Sequence, residues 1–459
     1  MLLAALLQIL QGWIPVFAQS RSGHRAISQA IGSIISLGRR TVSRSLWALG
    51  KQDQDWSADY KLHARSVWNA DALFQPVLQR ALPLCLGPYV VVAMDDTRVR
   101  KTGRKILSAF YQRDPLSPKF RFNLMWGLRF LQMTLLVPLY RAQPHLSPRS
   151  LPIRFQEVPA LKRPGKKASE ADRQAYREAI KLHNLSQHSI GTLRGVRQSL
   201  DAAGATDRPL LAVGDASFCN RTIFRLQLQK LHLLTRTRKD IRLCYRAPAG
   251  QRAFYAAEKF TPEQIRQDES RPWQTAIIFH GGQWREVRYK SLPDIYWQTG
   301  ARQRALRLLV VAPIPYSSAK GKRKYYRHPA FLLTTDVTAQ AEPLLQAYFD
   351  RWQIEVNHRE EKDTLGVGQA QLRNPNAIPK QPALVVAAYS ALLLAGIQVY
   401  DSQRTTDFPP LPKWRRNANR PSCLDLITVL RRDLAQNRTT QATLGIQIDW
   451  KTLGLAAAA

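Results

Sequence analysis

Cysteine is scarce in this 459-residue chain, and the four present (Cys85, Cys219, Cys244 and Cys423) include no C-x2-C pair. That excludes an obvious zinc ribbon and offers no disulfide framework, so a reducing cytoplasm is the expected compartment. Acidic side chains are also few. Asp and Glu number 33 against 68 Lys and Arg, which leaves a net charge of +35 and a pI of about 10.6. A field of that sign concentrates polyanions and makes their binding salt-dependent. The basic residues run through the whole length instead of forming one tail. Nucleic acid is therefore the expected partner, ahead of a ribosomal or membrane-surface role. No apolar run has the length of a bilayer span; "PALVVAAYSALLLAGIQVY" comes closest and suits a buried helix. The opening "MLLAALLQILQGWIPVFAQS" lacks the basic start of a secretory signal and is expected to form a first core helix.

What is present describes a globular chain of two or three domains, with 45% hydrophobic and 22% charged residues. Residues 1–84 carry helical spacing. "RAISQAIGSIISLGRRTVSRSL" reads as helix, Gly-containing turn and short basic helix, with Thr41 or Ser43 as cap. This arrangement suggests a helix-turn-helix DNA reader in which Arg39, Arg40 and Arg44 meet the DNA. At residue 88 the texture changes to "PYVVVAMDDT", a doubly buried strand ending in acidic residues, and "PLLAVGDAS" repeats the pattern at Asp215. Two strands are expected in 121–140, a Pro-rich basic loop over 141–168, helix from Glu170 to Ala202, and a short helix over 219–230. Residues 240–335 hold short β-rich runs. Within them "KGKRKYYRH" interleaves cations with aromatics, making Lys320, Lys322, Arg323 and Lys324 candidate DNA contacts. Near the C-terminus, Ser422 and Asp425 are spaced as a capping box ahead of a short helix.

The chemistry concentrates in "YFDRWQIEVNHREEK", residues 348–362. On one continuous helix, expected to start near Thr335 or Asp336, Tyr348, Arg351, Glu355 and Lys362 fall within roughly 60° of one another. Leu345, Phe349, Trp352 and Val356 form a separate apolar stripe for burial. Asp95 and Asp215, each at the end of an apolar strand, can join Glu355 if the strands are neighbours and the helix packs on their sheet. Three oxygen ligands without cysteine or histidine suit Mg²⁺ or Mn²⁺. Two such ions can serve phosphodiester displacement.

The spacing Tyr348-x2-Arg351-x3-Glu355-x6-Lys362 resembles, without gap or mismatch, the Y-x2-R-x3-E-x6-K signature of insertion-sequence DDE transposases. "MDDT" and "VGDASF" are similar to that group's two aspartate motifs. The resemblance implies an α/β fold with an RNase H-like mixed-sheet catalytic core in two parts, 85–239 and 336–402. Around it come an N-terminal helical DNA-binding region (1–84), a β-rich insertion domain (240–335) and a C-terminal linker with a short helix (403–459). It implies that Asp95, Asp215 and Glu355 hold two Mg²⁺ or Mn²⁺ ions, with Asp96 as the alternative first ligand. Tyr348, Arg351 and Lys362 would grip phosphates of the transposon end. The partners implied are double-stranded DNA and a second copy of the chain in a nucleoid-associated synaptic complex. Such insertion domains also carry an aromatic that stacks on a flipped base, for which Trp284 and Trp297 are the candidates. The rival readings are a non-catalytic regulator descended from a transposase and a stand-alone structure-selective nuclease.

Overall fold

A computed structural model of the chain describes residues 1–448 apart from 116, 119, 317–324 and 414–417. The N-terminal region is helical: α1 (Leu2–Leu10), α2 (Ser20–Ile35), α3 (Val42–Ala48), α4 (Ser57–Ala64) and α5 (Gln75–Ala81). α1 is a core element, with Leu2, Leu6, Ile9 and Leu10 fully buried. Between α2 and α3 the chain turns through Gly38 at φ +67°, a left-handed conformation that glycine adopts without strain. Thr41, rather than Ser43, caps α3 by accepting from the Arg44 backbone N–H.

A mixed sheet follows. β1 (Val90–Arg100), β2 (Phe110–Arg113), β3 (Leu124–Val137) and β4 (Arg149–Glu157) precede α6 (Glu170–Leu182) and α7 (Leu185–Ala202). β5 (Leu210–Gly214), the single-turn α8 (Arg221–Phe224) and β6 (Leu231–Arg236) come next. Three expectations for this region need correction. Residues 121–140 hold one 14-residue strand, not two. The stretch read as a Pro-rich loop contains β4, an edge strand whose Pro152 sits where the register with β3 shifts. An edge with a bulge is where a strand tolerates proline's missing N–H. The helix expected over 219–230 shrinks to α8.

The β-rich region adds β7 (Leu243–Arg246), β8 (Tyr255–Phe260), α9 (Pro262–Gln267), β9 (Gln274–His280), β10 (Gln283–Tyr296), α10 (Gln298–Ala301) and β11 (Ala305–Val311). After the small ribbon β12 (Pro315–Tyr316) and β13 (Tyr325–Tyr326) comes β14 (Ala330–Thr334). All but the ribbon join one sheet, in the order β2-β3-β1-β5-β6-β14-β11-β10-β7-β8, with β4 on β3 and β9 on β10. β1, β5 and β6 are mutually parallel at its centre, and the rest is antiparallel.

The chain then returns to the centre through α11 (Ala341–Asp350), α12 (Gln353–Arg359) and a π-helical turn at Glu360–Thr364. The run is interrupted at Arg351–Trp352, and it begins at Ala341, since Asp336 instead caps the preceding turn by accepting from Ala339 N–H at 3.0 Å. α13 (Ala377–Tyr400), α14 (Cys423–Gln436) and α15 (Arg438–Thr443) complete the fold. Contrary to the expectation that no run suffices, α13 is long and apolar enough to cross a bilayer; 89% of its most apolar stretch is buried inside the protein. The Ser422–Asp425 capping box of α14 forms.

Candidate functional site

Asp95 and Asp215 arrive on neighbouring parallel strands. Ala93 pairs with Val213 and Met94 with Gly214, so each aspartate is the next residue beyond the last paired position. Equal register puts both on one side of the sheet, about 5 Å apart at the backbone. Asp215 is fixed by its own turn, its carboxylate accepting from Ser217 N–H at 2.9 Å and Ser217 Oγ–H at 3.3 Å.

Glu355 comes from α12, which lies on the sheet face carrying Ala93 and Asp95. Ile354 packs with Ala93 and Leu136. Asn357 accepts from Thr134 Oγ1 at 3.1 Å and Ser150 Oγ at 2.5 Å, and donates to Tyr389 Oη at 2.9 Å. Beyond it, buried Glu361 accepts from Gln132 Nε2 at 2.8 Å. Gln132 stands directly opposite Asp95 in the β1–β3 pair, and Thr134 opposite Ala93, so all these contacts share one face. Polar anchors on two strands thus seat the helix beside Asp95. Alternation along β1 sends Asp96 to the other face, where its carboxylate accepts from Arg129 Nε at 2.7 Å.

The apolar stripe expected on this helix is revised. Leu345 is buried and Phe349 and Val356 half-buried, but Trp352 is 61% exposed, while Asn357, His358 and Glu361 face inward. The interruption at Arg351–Trp352 and the π turn change the angle per residue, so positions extrapolated at 100° drift from their predicted face.

Arg351 stands between the carboxylates, its Nη1 at 3.8 Å from both Asp95 Oδ2 and Glu355 Oε1. Those separations exceed hydrogen-bond range, and among the described residues the buried Nη1 has no hydrogen-bond partner. Burial, then Glu355, then Asp215 push the Asp95 carboxyl up to about 8, against the pull of Arg351. Lys362, in the π turn, is held below the usual lysine range chiefly by burial, opposed by Glu361, Glu355, Asp363 and Asp95. Crowded carboxylates short of positive charge fit a divalent cation, and their oxygens suit Mg²⁺ or Mn²⁺.

One residue went unnoticed in the sequence. Donor atoms of Asp95, Glu355 and His358 all lie within 4.8 Å of one another, a group that does not include Asp215. Burial pushes the His358 imidazole down to about 3, so it is neutral. The available signal was its spacing, three residues beyond Glu355 on the same helical face.

Tyr348 and Arg351 line a cavity of about 670 Å³ together with Phe349, Trp352, His280 and Arg327. Of the N-terminal arginines, Arg39 and Arg44 are exposed. Arg40 instead turns onto the Ser36 carbonyl, with Nη2 donating at 2.8 Å. Trp284 is half-exposed and donates through Nε1 to the Pro144 carbonyl at 3.1 Å, whereas Trp297 packs edge-on against Phe224. Lys320, Lys322, Arg323 and Lys324 lie outside the described residues.

A family model described as a transposase DDE domain matches residues 156–391, just over half of the chain. The matched span holds Asp215, Glu355 and all four residues of the 348–362 signature, while Asp95 precedes it. A search of curated proteins finds no match.

Proposed function

The chain belongs to the DDE transposase domain family, and from that membership we propose that it binds the terminal inverted repeats of an insertion sequence, cleaves there and joins the freed 3′-hydroxyls to target DNA. The observation that best supports this reading is the convergence of Asp95 and Glu355, from a central strand and a distant helix, with Asp215 close enough to raise the Asp95 pKa.

In this reading Asp95, Asp215 and Glu355 hold the cations. Bound there, divalent metal supplies Lewis acidity to the reacting phosphate and lowers the pKa of the attacking hydroxyl. The protein's own groups do the rest. Arg351 is pre-set beside the carboxylates with an Nη1 that has no hydrogen-bond partner among the described residues, so it can turn its fork onto a phosphate oxygen. Lys362 brings a compact positive charge, and Tyr348 a hydroxyl from the cavity wall. In cleavage a water oxygen bonds to phosphorus as the P–O3′ bond breaks, and the departing 3′-oxygen leaves as a hydroxyl. In joining, that hydroxyl attacks a target phosphate and displaces another 3′-oxygen. Each bond broken is replaced by one formed, so no external energy source is required. The +35 net charge supports a long DNA footprint, with Arg39 and Arg44 exposed on the α2–α3 region as further contacts. A dimer would hold the two ends together.

The test is Mg²⁺- or Mn²⁺-dependent nicking of a plasmid carrying the DNA that flanks the gene. Wild type should cut and Glu355→Gln should not; equal cutting by both sinks the catalytic assignment. Cut ends recovered in a second plasmid distinguish a transposase from a nuclease.

A further inference from the structure

We infer that His358 is a third protein ligand, with Asp95 and Glu355, to one divalent cation, and that the position therefore takes a transition-metal ion such as Mn²⁺ in preference to Mg²⁺. The inference rests on the metal-dependent reading above and goes beyond its all-carboxylate site.

Three observations carry it. First, the donor atoms of Asp95, Glu355 and His358 are mutually within 4.8 Å, as three ligands of one ion must be. Second, His358 is only 7% exposed, and its Nε2 has no hydrogen-bond partner among the described residues. Orphaned buried ring nitrogens are rare in folded proteins unless another species satisfies them. Third, the backbone holding the ring is braced. Glu355 and His358 are i, i+3 neighbours on α12, and Asn357 between them is bonded to β3, β4 and α13. A Glu-x2-His pair on one helix is an arrangement that other metal proteins use to present a carboxylate and an imidazole to a single ion.

The surroundings leave little else for the imidazole to do. The carboxylates of Asp95 and Glu355 and the cations Lys362 and Arg351 face it, and none of them makes a hydrogen bond to its Nε2 among the described residues. Asp96, whose charge also reaches the ring, is committed to Arg129. A set of two oxygens and one nitrogen is softer than the oxygen shell Mg²⁺ demands, which shifts preference along the first-row series.

The experiment uses the full-length protein with MnCl₂ as the probe. Pulsed electron paramagnetic resonance should show nitrogen coupling to bound Mn²⁺, and uniform ¹⁵N-histidine labelling should convert it to the ¹⁵N pattern without any substitution. His358→Gln should abolish the coupling, weaken Mn²⁺ binding at least about tenfold and narrow the Mn²⁺ over Mg²⁺ preference. Its melting curve, matched to wild type, separates loss of a ligand from loss of fold. If Mn²⁺ binds, is lost in Glu355→Gln and shows no nitrogen coupling in wild type, His358 is not a ligand, while the carboxylate site stands. If Glu355→Gln leaves Mn²⁺ binding unchanged, the carboxylate reading falls and this inference with it.

Discussion

Asn357→Ala should unseat the helix that carries Glu355. The Asn357 side chain is 2% exposed and makes four hydrogen bonds. It accepts from Thr134 Oγ1 and Ser150 Oγ, and donates to the Ser150 carbonyl at 3.2 Å and to Tyr389 Oη at 2.9 Å. Two of these partners keep an alternative. Ser150 Oγ also reaches the Gln353 carbonyl at 2.9 Å, and Tyr389 still donates to Glu360 Oε2 at 2.5 Å. Thr134, with no exposed surface, is left without an acceptor. One stranded buried hydroxyl costs about 1–3 kcal/mol, and the other losses about 0.5–1.5 kcal/mol each before partial recovery. The total is about 2–4 kcal/mol. Urea unfolding followed by tryptophan fluorescence reads it as a shift in midpoint at constant slope. Because Glu355 lies two residues away, nicking by the folded variant should fall as well. Asn357→Asp should lose at least as much stability, since it turns an acceptor toward the Ser150 carbonyl. A loss below about 1 kcal/mol with nicking intact would refute the claim that this buried node positions the site.

Two other outcomes follow from charge. Arg351→Ala and Lys362→Ala should each reduce the slope of log binding against log salt by about one, as one phosphate contact is lost; unchanged slopes would remove both from the clamp. His63 governs an acid limit to stability. It is buried behind Trp68, its Nε2 lies 2.7 Å from Gln29 Oε1, and among the described residues its Nδ1 has no hydrogen-bond partner to accept from a second proton. Burial pushes its pKa down to about 3 from 6.5. Between those values the unfolded chain binds a proton that the folded chain refuses, so stability is full above pH 6.5 and falls as pH drops toward 3. The fall is up to about 1.4 kcal/mol per pH unit from this group. His63→Gln should flatten that part of the stability profile, and an unaltered profile would show that the burial is not retained in solution.

The parts of this fold that were legible in the sequence are those where one rule dominates. β1 and β5 are covered on both faces, so they appear as unbroken Val, Leu and Ala, and their aspartates stand out at the ends. β4 was hidden because Pro152 and the surrounding basic residues resemble a loop, and only pairing with β3 makes a bulged edge tolerable. On the helical run over 341–364, periodicity brings Arg351 and Glu355 to one side but assigns Trp352 to the core, where the structure leaves it exposed. The positions that are buried, Asn357, His358 and Glu361, are polar, and their partners Thr134, Ser150, Gln132 and Tyr389 lie far away in the chain. Hydropathy cannot report a burial satisfied by distant hydrogen bonds. The same limit concealed His358, whose significance depends on Asp95 reaching it from β1.

The most direct test of the central claim, that one cation site draws ligands from three distant segments, is oxidative cleavage of the backbone by Fe²⁺ bound in place of the native ion. With ascorbate and peroxide, hydroxyl radicals formed at the site should cut near Asp95, near Asp215 and between Glu355 and His358. Excess Mg²⁺ or Mn²⁺ and Glu355→Gln should suppress all three sets of fragments together. Cuts confined to one segment, or spread along the chain and indifferent to Glu355→Gln, would contradict it.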